Sequence, residues 1–226
     1  AIRKLEEIQE IQVKDKLEYL SIKHSFNKDL VKYLSDNYGI KEAEKIILVL
    51  CQKPQLSIRV NTMLTTLEDL KAGLISMGFE VKTSKLAKDN LIIDNPSRIT
   101  EFDEFKKGYF TIQDQASIKV SEVLNPDKNS KILDLCAAPG SKSSHLAQIS
   151  EDKSLIISND ISKEKLGKIK ENFDRMGLKN YEITNYDACE TIEDFVGKFD
   201  YILVDAPCSG LGVIKRKPEI KLFRSL

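Results

Sequence analysis

Two stretches constrain what this chain can fold into: KILDLCAAPGSKSS at 131–144 and FDYILVDAPCSGLG at 199–212. Each is an apolar run of strand length that passes directly into a turn of small residues carrying a cysteine, a proline and a glycine. Uninterrupted apolar runs are the pattern of strands buried on both faces of a parallel sheet. In an open sheet of that kind, ligands sit beyond the carboxyl ends of the strands. Two such turns in one chain predict a ligand and a reaction centre sharing one crevice.

The surrounding elements fit that sheet. From about residue 115 the pattern alternates: helix at 115–124, strand at 131–135, helix at 142–149, strand at 154–159, helix at 162–176, strand at 181–185, a short helix near 191–196 and a strand at 199–204. In the longest of these helices Leu166, Ile169, Phe173 and Met176 recur at three- and four-residue steps, an apolar stripe facing a core. A doubly wound α/β domain is expected. The preceding part reads as a small α+β module. An amphipathic helix carries Ile2, Leu5, Ile8, Val13, Leu17 and Leu20 and breaks near 24–27, and a helical stretch over 27–50 is interrupted at Tyr38-Gly39. A strand at 56–60, a helix at 66–77 and short strands at 79–83 and 90–93 follow.

Composition narrows the function classes. The chain has 226 residues, is 41% hydrophobic, and carries 35 basic and 35 acidic side chains. It is long enough for one large or two small domains, and its zero net charge gives no global attraction to nucleic acid or membrane. Any basic binding surface must be local. No apolar run reaches membrane length and no signal peptide is present. Cys51, Cys136, Cys189 and Cys208 form no CxxC pair, so reduced thiols and a cytoplasmic protein are expected. His24 and His145 group with no cysteines, so no metal site is expected. Because the chain starts at Ala1 and ends shortly after its last strand-turn unit, it is expected to be a piece of a longer protein.

The turns narrow the ligand. Cys136-Ala137-Ala138-Pro139-Gly140-Ser141-Lys142 lacks both the G-x-G-x-x-G spacing of dinucleotide folds and the GxxxxGK[ST] of phosphate loops. Gly140 and its small neighbours let the backbone approach a ligand. Each of the next three strands ends at an acid: Asp160, Asp187 and Asp205. A carboxylate beyond the second strand can hold both hydroxyls of a ribose, one beyond the third can sit by an adenine amino group, and one beyond the fourth can face a cationic methionine moiety. That set suits S-adenosylmethionine. Singly, each acid could equally cap a helix or favour a turn.

CAAPGSK at 136–142 and DAPCSGLGVIKRKPEIK at 205–221 resemble the NOP/Sun family of RNA cytosine-C5 methyltransferases, on the side of its bacterial RsmB/Sun type ribosomal RNA enzymes. The likeness extends upstream through PQLSIRVNT at 54–62 and KGYFTIQDQAS at 107–117. It implies a Rossmann-like S-adenosylmethionine-dependent domain at 115–226, incomplete at its C-terminus. Before it would stand an RNA-binding module of RNA-recognition-motif type at 27–114, with 1–26 the end of, or linker from, a NusB-like domain. By resemblance, residues 136–142, Asp160, Asp187 and Asp205 contact the cofactor.

Carbon 5 of cytosine is a poor nucleophile, so a thiolate adds to carbon 6 first. The resulting enamine takes the methyl group, a base removes the carbon 5 proton, and the thiolate leaves. The residues alone point to Cys208 as that thiolate, beside Asp205. The family instead uses a later cysteine in a Thr-Cys-Ser turn, and the Pro-Cys cysteine assists product release. No Thr-Cys-Ser occurs in this sequence. Strand 199–204 is then expected at a sheet edge.

Lys215, Arg216 and Lys217 flank the Cys208 turn and are candidate RNA phosphate contacts, with Arg59 and Lys106-Lys107 as further members of that surface. The target base must be unpaired or flipped out. The expectation is a monomeric, non-membrane, metal-independent enzyme making 5-methylcytosine in small-subunit ribosomal RNA. Transfer RNA as substrate, or a non-catalytic RNA-binding fragment of the same fold, are the alternatives; a nucleotide-binding oxidoreductase would need a glycine fingerprint the first turn lacks.

Overall fold

The computed structural model describes residues 13–94 and 98–223. The first part of the expected N-terminal helix lies outside them. The chain divides into two compact units: residues 1–54 with 207–226, and residues 55–206.

The smaller unit contains α1 (Lys16–His24), α2 (Lys28–Tyr38), α3 (Ile40–Leu50) and α9 (Ile220–Phe223). Local signals set its helix ends: the Asp15 side chain accepts from the Leu17 amide and Asn27 from the Asp29 amide, capping α1 and α2. Gly39, at φ 78°, separates α2 from α3. Leu20, Phe26, Leu30, Val31, Leu34, Ala43 and Ile47 form the core, joined by Ile214 from the distal segment.

The larger unit holds two sheets. The antiparallel one has the order β2-β3-β1-β4, from β1 (Leu56–Val60), β2 (Glu80–Thr83), β3 (Asn90–Asp94) and β4 (Phe110–Ile112). With it come α4 (Leu67–Ser76) and α5 (Asp103–Lys106), and Leu70 and Leu74 of α4 share its core with Ile58, Val60, Leu91, Ile93 and Phe110. The parallel sheet has the order β7-β6-β5-β8, from β5 (Lys131–Asp134), β6 (Leu155–Asn159), β7 (Tyr181–Thr184) and β8 (Tyr201–Leu203). Its helices are α6 (Gln115–Leu124), α7 (Ser141–Ile149) and α8 (Lys163–Met176). The expected elements stand within a residue or two of these, except that β4, α5, α9 and a 3₁₀ turn at Ile99–Glu101 were not anticipated, residues 191–196 hold only a 3₁₀ turn, Glu193–Phe195, and the expected N-terminal helix starts at Lys16 with Val13 outside it. Burial on both faces holds for the central β5 and β6. The edge strand β8 alternates instead, burying Leu203 while Ile202 and the following Val204 are exposed.

One expected surface residue is not on the surface. Arg59 is fully buried, so its placement among the RNA contacts is corrected: no face of its guanidinium reaches solvent. Its Nε donates to Gln113 Oε1 at 2.8 Å, Nη1 to Gln148 Oε1, and Nη2 to Ser144 Oγ at 2.8 Å and to the Ser141 carbonyl at 3.4 Å. Burial pushes its pKa down to about 9. Nearby, Asn61 Nδ2 donates to the carbonyls of Gly108 and Met176, both at 3.0 Å. Arg175 Nη1 donates to the carbonyls of Phe105 and Phe110, and its guanidinium stacks 4.0 Å from the Phe105 ring centroid. Thus β1 and β4 of one sheet are joined to α7 and α8 of the other by polar side chains that saturate buried backbone groups.

Gly108 makes that junction possible. It has φ 77°, and a Cβ there would lie 2.0 Å from the Arg175 carbonyl oxygen. Gly108→Ala is therefore expected to destabilise the protein by about 3 kcal/mol or more, combining left-handed strain with a backbone clash; urea unfolding monitored by circular dichroism measures it, and a destabilisation under about 1 kcal/mol would contradict this packing.

Candidate active site

The turn after β5 is held from three sides. The Ala137 amide donates to the Asn159 carbonyl at 2.7 Å, the Ala138 amide to Asp160 Oδ2 at 3.1 Å, and Asn172 Nδ2 of α8 to the Pro139 carbonyl at 2.8 Å. The Ala138-Pro139 bond is cis. Gly140 follows at φ 95°, where a Cβ would meet Phe173 Cε1 at 2.9 Å and Ile169 Cγ2 at 3.3 Å. Only glycine lets α7 start this close to α8.

Asp160 is nearly buried, and its other oxygen accepts from the Ser162 amide at 2.9 Å. One carboxylate thus makes the local turn at Ser162 and ties it to the turn after β5. Each oxygen retains acceptor capacity for a ligand hydroxyl. Asp187 is exposed and makes a local turn, its Oδ1 accepting from the Cys189 amide at 2.9 Å. Asp205 is exposed and ion-paired to Lys142, so two of the candidates meet across the end of the sheet. Cys136 is partly exposed, and burial followed by the neighbouring Asp134 pushes its thiol pKa up. This disfavours a thiolate. Cys51 and Cys189 are exposed free thiols. His145 is buried, and burial pushes its pKa down to about 2, so it stays neutral.

Two residues that sequence reasoning passed over organise this site. Asn159, fully buried at the end of β6, donates through Nδ2 to the carbonyls of Leu135 and Tyr186. Its Oδ1 accepts from the Tyr186 amide at 2.8 Å and Thr184 Oγ1 at 3.0 Å. One amide thereby registers the ends of β5, β6 and β7. Asp134, beneath the turn, accepts from Ser143 Oγ at 2.6 Å. Burial raises its pKa to about 6, against the lowering effects of the Ser143 bond and Lys142. Its position in ILDLCAAPG was a visible signal, since an acid ending an apolar strand is unusual.

In the smaller unit, Cys208 is an exposed free thiol. The buried Ile214 anchors the basic run behind it, where Lys215 is half-buried and Arg216 and Lys217 are exposed. Among the described residues no group of histidine, cysteine and acidic side chains could hold a metal ion, and no helix is long and apolar enough to cross a membrane.

Comparison with known proteins agrees with this architecture. The family described as 16S rRNA methyltransferase RsmB/F matches residues 121–225, and the RsmF/B-like ferredoxin-like domain matches residues 27–100. The chain is 38% identical over 211 residues to the probable ribosomal RNA small subunit methyltransferase B of Bacillus subtilis, covering 92% of this chain and 47% of that protein. It is 32% identical over 204 residues to the human 28S rRNA (cytosine(4447)-C(5))-methyltransferase, covering 89% of this chain and 25% of that one. The chain therefore spans half or less of these relatives' lengths. Among solved structures, NSun6 from Pyrococcus horikoshii, crystallised with SFG, superposes with a TM-score of 0.80 at 26% identity, covering 90% of this chain and 75% of that one. With both family matches and these relatives, this chain belongs to the RsmB/F group of the NOP/Sun family.

Proposed function

We propose that this chain is the core of an S-adenosylmethionine-dependent RNA methyltransferase that makes 5-methylcytosine, with small-subunit ribosomal RNA as substrate. Residues 27–114 would serve as the RNA-binding module and 115–226 as the methyl-transfer domain, acting as a cytoplasmic monomer. The names of the relatives support the ribosomal substrate over transfer RNA. SFG, an analogue of S-adenosylmethionine, in the related NSun6 structure supports the cofactor.

The observation that carries the reading is Asp160, whose two oxygens bridge the β5 turn and the start of the β6 loop while keeping lone pairs available. The residues present fit the cofactor: Asp160 keeps acceptor capacity on both oxygens at the end of β6, and the exposed acids Asp187 and Asp205 supply further acceptors. On this reading residues 136–142 form the floor, Asp160 accepts from the ribose hydroxyls, Asp187 faces the adenine amino group, and Asp205 sits by the methionine moiety. The cofactor supplies an electrophilic methyl group. Lys142 orients the Asp205 carboxylate through their ion pair. Cys208 is solvent-accessible, which suits a thiol that assists product release.

Calorimetric titration with S-adenosylmethionine tests the cofactor. Wild-type binding that falls about tenfold or more in Asp160→Ala, the worth of a charge-assisted bond or two, supports the reading; equal affinity in folded variant and wild type would sink it. For RNA, Lys215→Ala/Lys217→Ala should weaken binding to small-subunit ribosomal RNA fragments and reduce the log K against log salt slope by about 1 for each phosphate no longer engaged. An unchanged slope would remove these lysines from the interface, and tighter binding to transfer RNA would change the substrate.

Asp134 carries a pH signature. Its folded pKa of about 6 lies above its ordinary value of 3.8. The folded form then binds the proton more tightly, so the stabilisation is full below about pH 4 and is lost as pH rises through 6, by ~2–3 kcal/mol. Asp134→Asn keeps an oxygen for Ser143 and should flatten that fall, leaving the variant more stable than wild type at pH 7.5. Denaturant melts of both proteins from pH 4 to 8 measure the difference, and parallel curves would refute it.

A further inference from the structure

Among the described residues Arg59 is a buried cation without a carboxylate in hydrogen-bonding reach; Asp89 acts on it only through longer-range attraction. Burying an unpaired charge is costly, and an apolar pair of similar volume would hold two elements together at less cost. What a guanidinium provides that an apolar contact cannot is a planar fork with fixed donor directions. Here the fork lies along one face of α7. Its targets are Ser141, Ser144 and Gln148, spaced three and four residues apart, so one side chain grips the first, second and last turns of the helix. Ser144 Oγ in turn donates to the Ser141 carbonyl at 3.0 Å, and Gln148 Nε2 donates to Thr62 Oγ1 at 2.9 Å, just beyond β1. Rotation of α7 about its axis and sliding along it are both opposed. The residue at the gripped N-terminus, Ser141, belongs to the turn formed by residues 136–142.

We propose that Arg59 is a positioning residue for the cofactor site: from β1 of the antiparallel module it fixes the rotation and axial register of α7, and through α7 the backbone of residues 137–142. This rests on the cofactor reading given above. It makes the upstream module part of the cofactor site's rigidity as well as a candidate RNA surface.

The experiment separates positioning from general stability. The dissociation constant for S-adenosylmethionine is measured by calorimetry at 15 °C, far below each variant's melting midpoint, for wild type, Arg59→Met, Arg59→Lys, Ser144→Ala, Asn61→Ala and Asp160→Ala, with amide hydrogen exchange over 137–148 as a second readout. Arg59→Met should weaken binding about tenfold and speed exchange in that segment. Arg59→Lys, which keeps the charge and loses the fork, should stay close to Arg59→Met. Asn61→Ala loosens the same junction at α8 without touching α7 and should lower the melting midpoint with affinity unchanged. Should Arg59→Met not fold, Ser144→Ala, which removes one end of the grip, still must weaken binding by several-fold. Wild-type affinity in folded Arg59→Met, full recovery in Arg59→Lys, or equal weakening in Asn61→Ala overturns the proposal while an Asp160→Ala defect leaves the cofactor reading standing. No binding by folded wild type overturns both.

Discussion

A single buried guanidinium ties the larger unit together. Arg59 leaves β1 of the antiparallel sheet and ends against α7 of the parallel one, its donors taken by Gln113, Gln148, Ser144 and the Ser141 carbonyl. Two sheets packed only by apolar contact would slide at little cost, because hydrophobic burial is non-directional. Directed bonds in a low-dielectric interior do not permit that. Asn61 and Arg175 repeat the device at α8: Asn61 donates to one carbonyl on each side, Gly108 and Met176, and Arg175 to the carbonyls of Phe105 and Phe110. The junction is polar where packing alone would have left its geometry undetermined.

The same economy appears at the strand ends. Asn159 uses both amide donors and accepts two further bonds, holding three strand ends in register with one side chain. Asp160 then fastens the cis-proline turn to the next loop. On the proposed reading, a cofactor at these strand ends would meet groups whose positions are already set by the protein. Little ordering remains to be done on binding, which is the main benefit of preorganisation.

The upstream motifs that first marked the family take on a physical meaning here. In PQLSIRVNT, Arg59 and Asn61 are the two buried ties. In KGYFTIQDQAS, Gly108 admits the Arg175 carbonyl, Gln113 accepts from Arg59, and Gln115 accepts from Ser84 at 2.7 Å. These segments are distinctive because they build the junction between modules. Assigning Arg59 to an RNA surface followed the usual habit of arginine, which is seldom buried. Nothing local in IRV distinguished a buried arginine from an exposed one on an alternating strand. Its burial depends on Gln113, Ser144 and Gln148, which lie 54, 85 and 89 residues away.

By itself the sequence determined most of the elements, the parallel sheet and the family, because periodicity, caps and turn residues act over a few positions and can be read there; the short β4 and α5 carry too little of that pattern. Asp15, Asn27 and Gly39 announce their helix ends locally, and the small residues at 136–142 announce the turn between β5 and α7. The strand-end acids were visible for the same reason. Only the tertiary structure decided which polar residues face inward: Arg59 as tie, Asn159 as strand-end register, Asp134 as a carboxyl with a raised pKa under the turn. Burial and its electrostatic consequences are set by partners distant in sequence, and they exist only once the chain has brought those partners together.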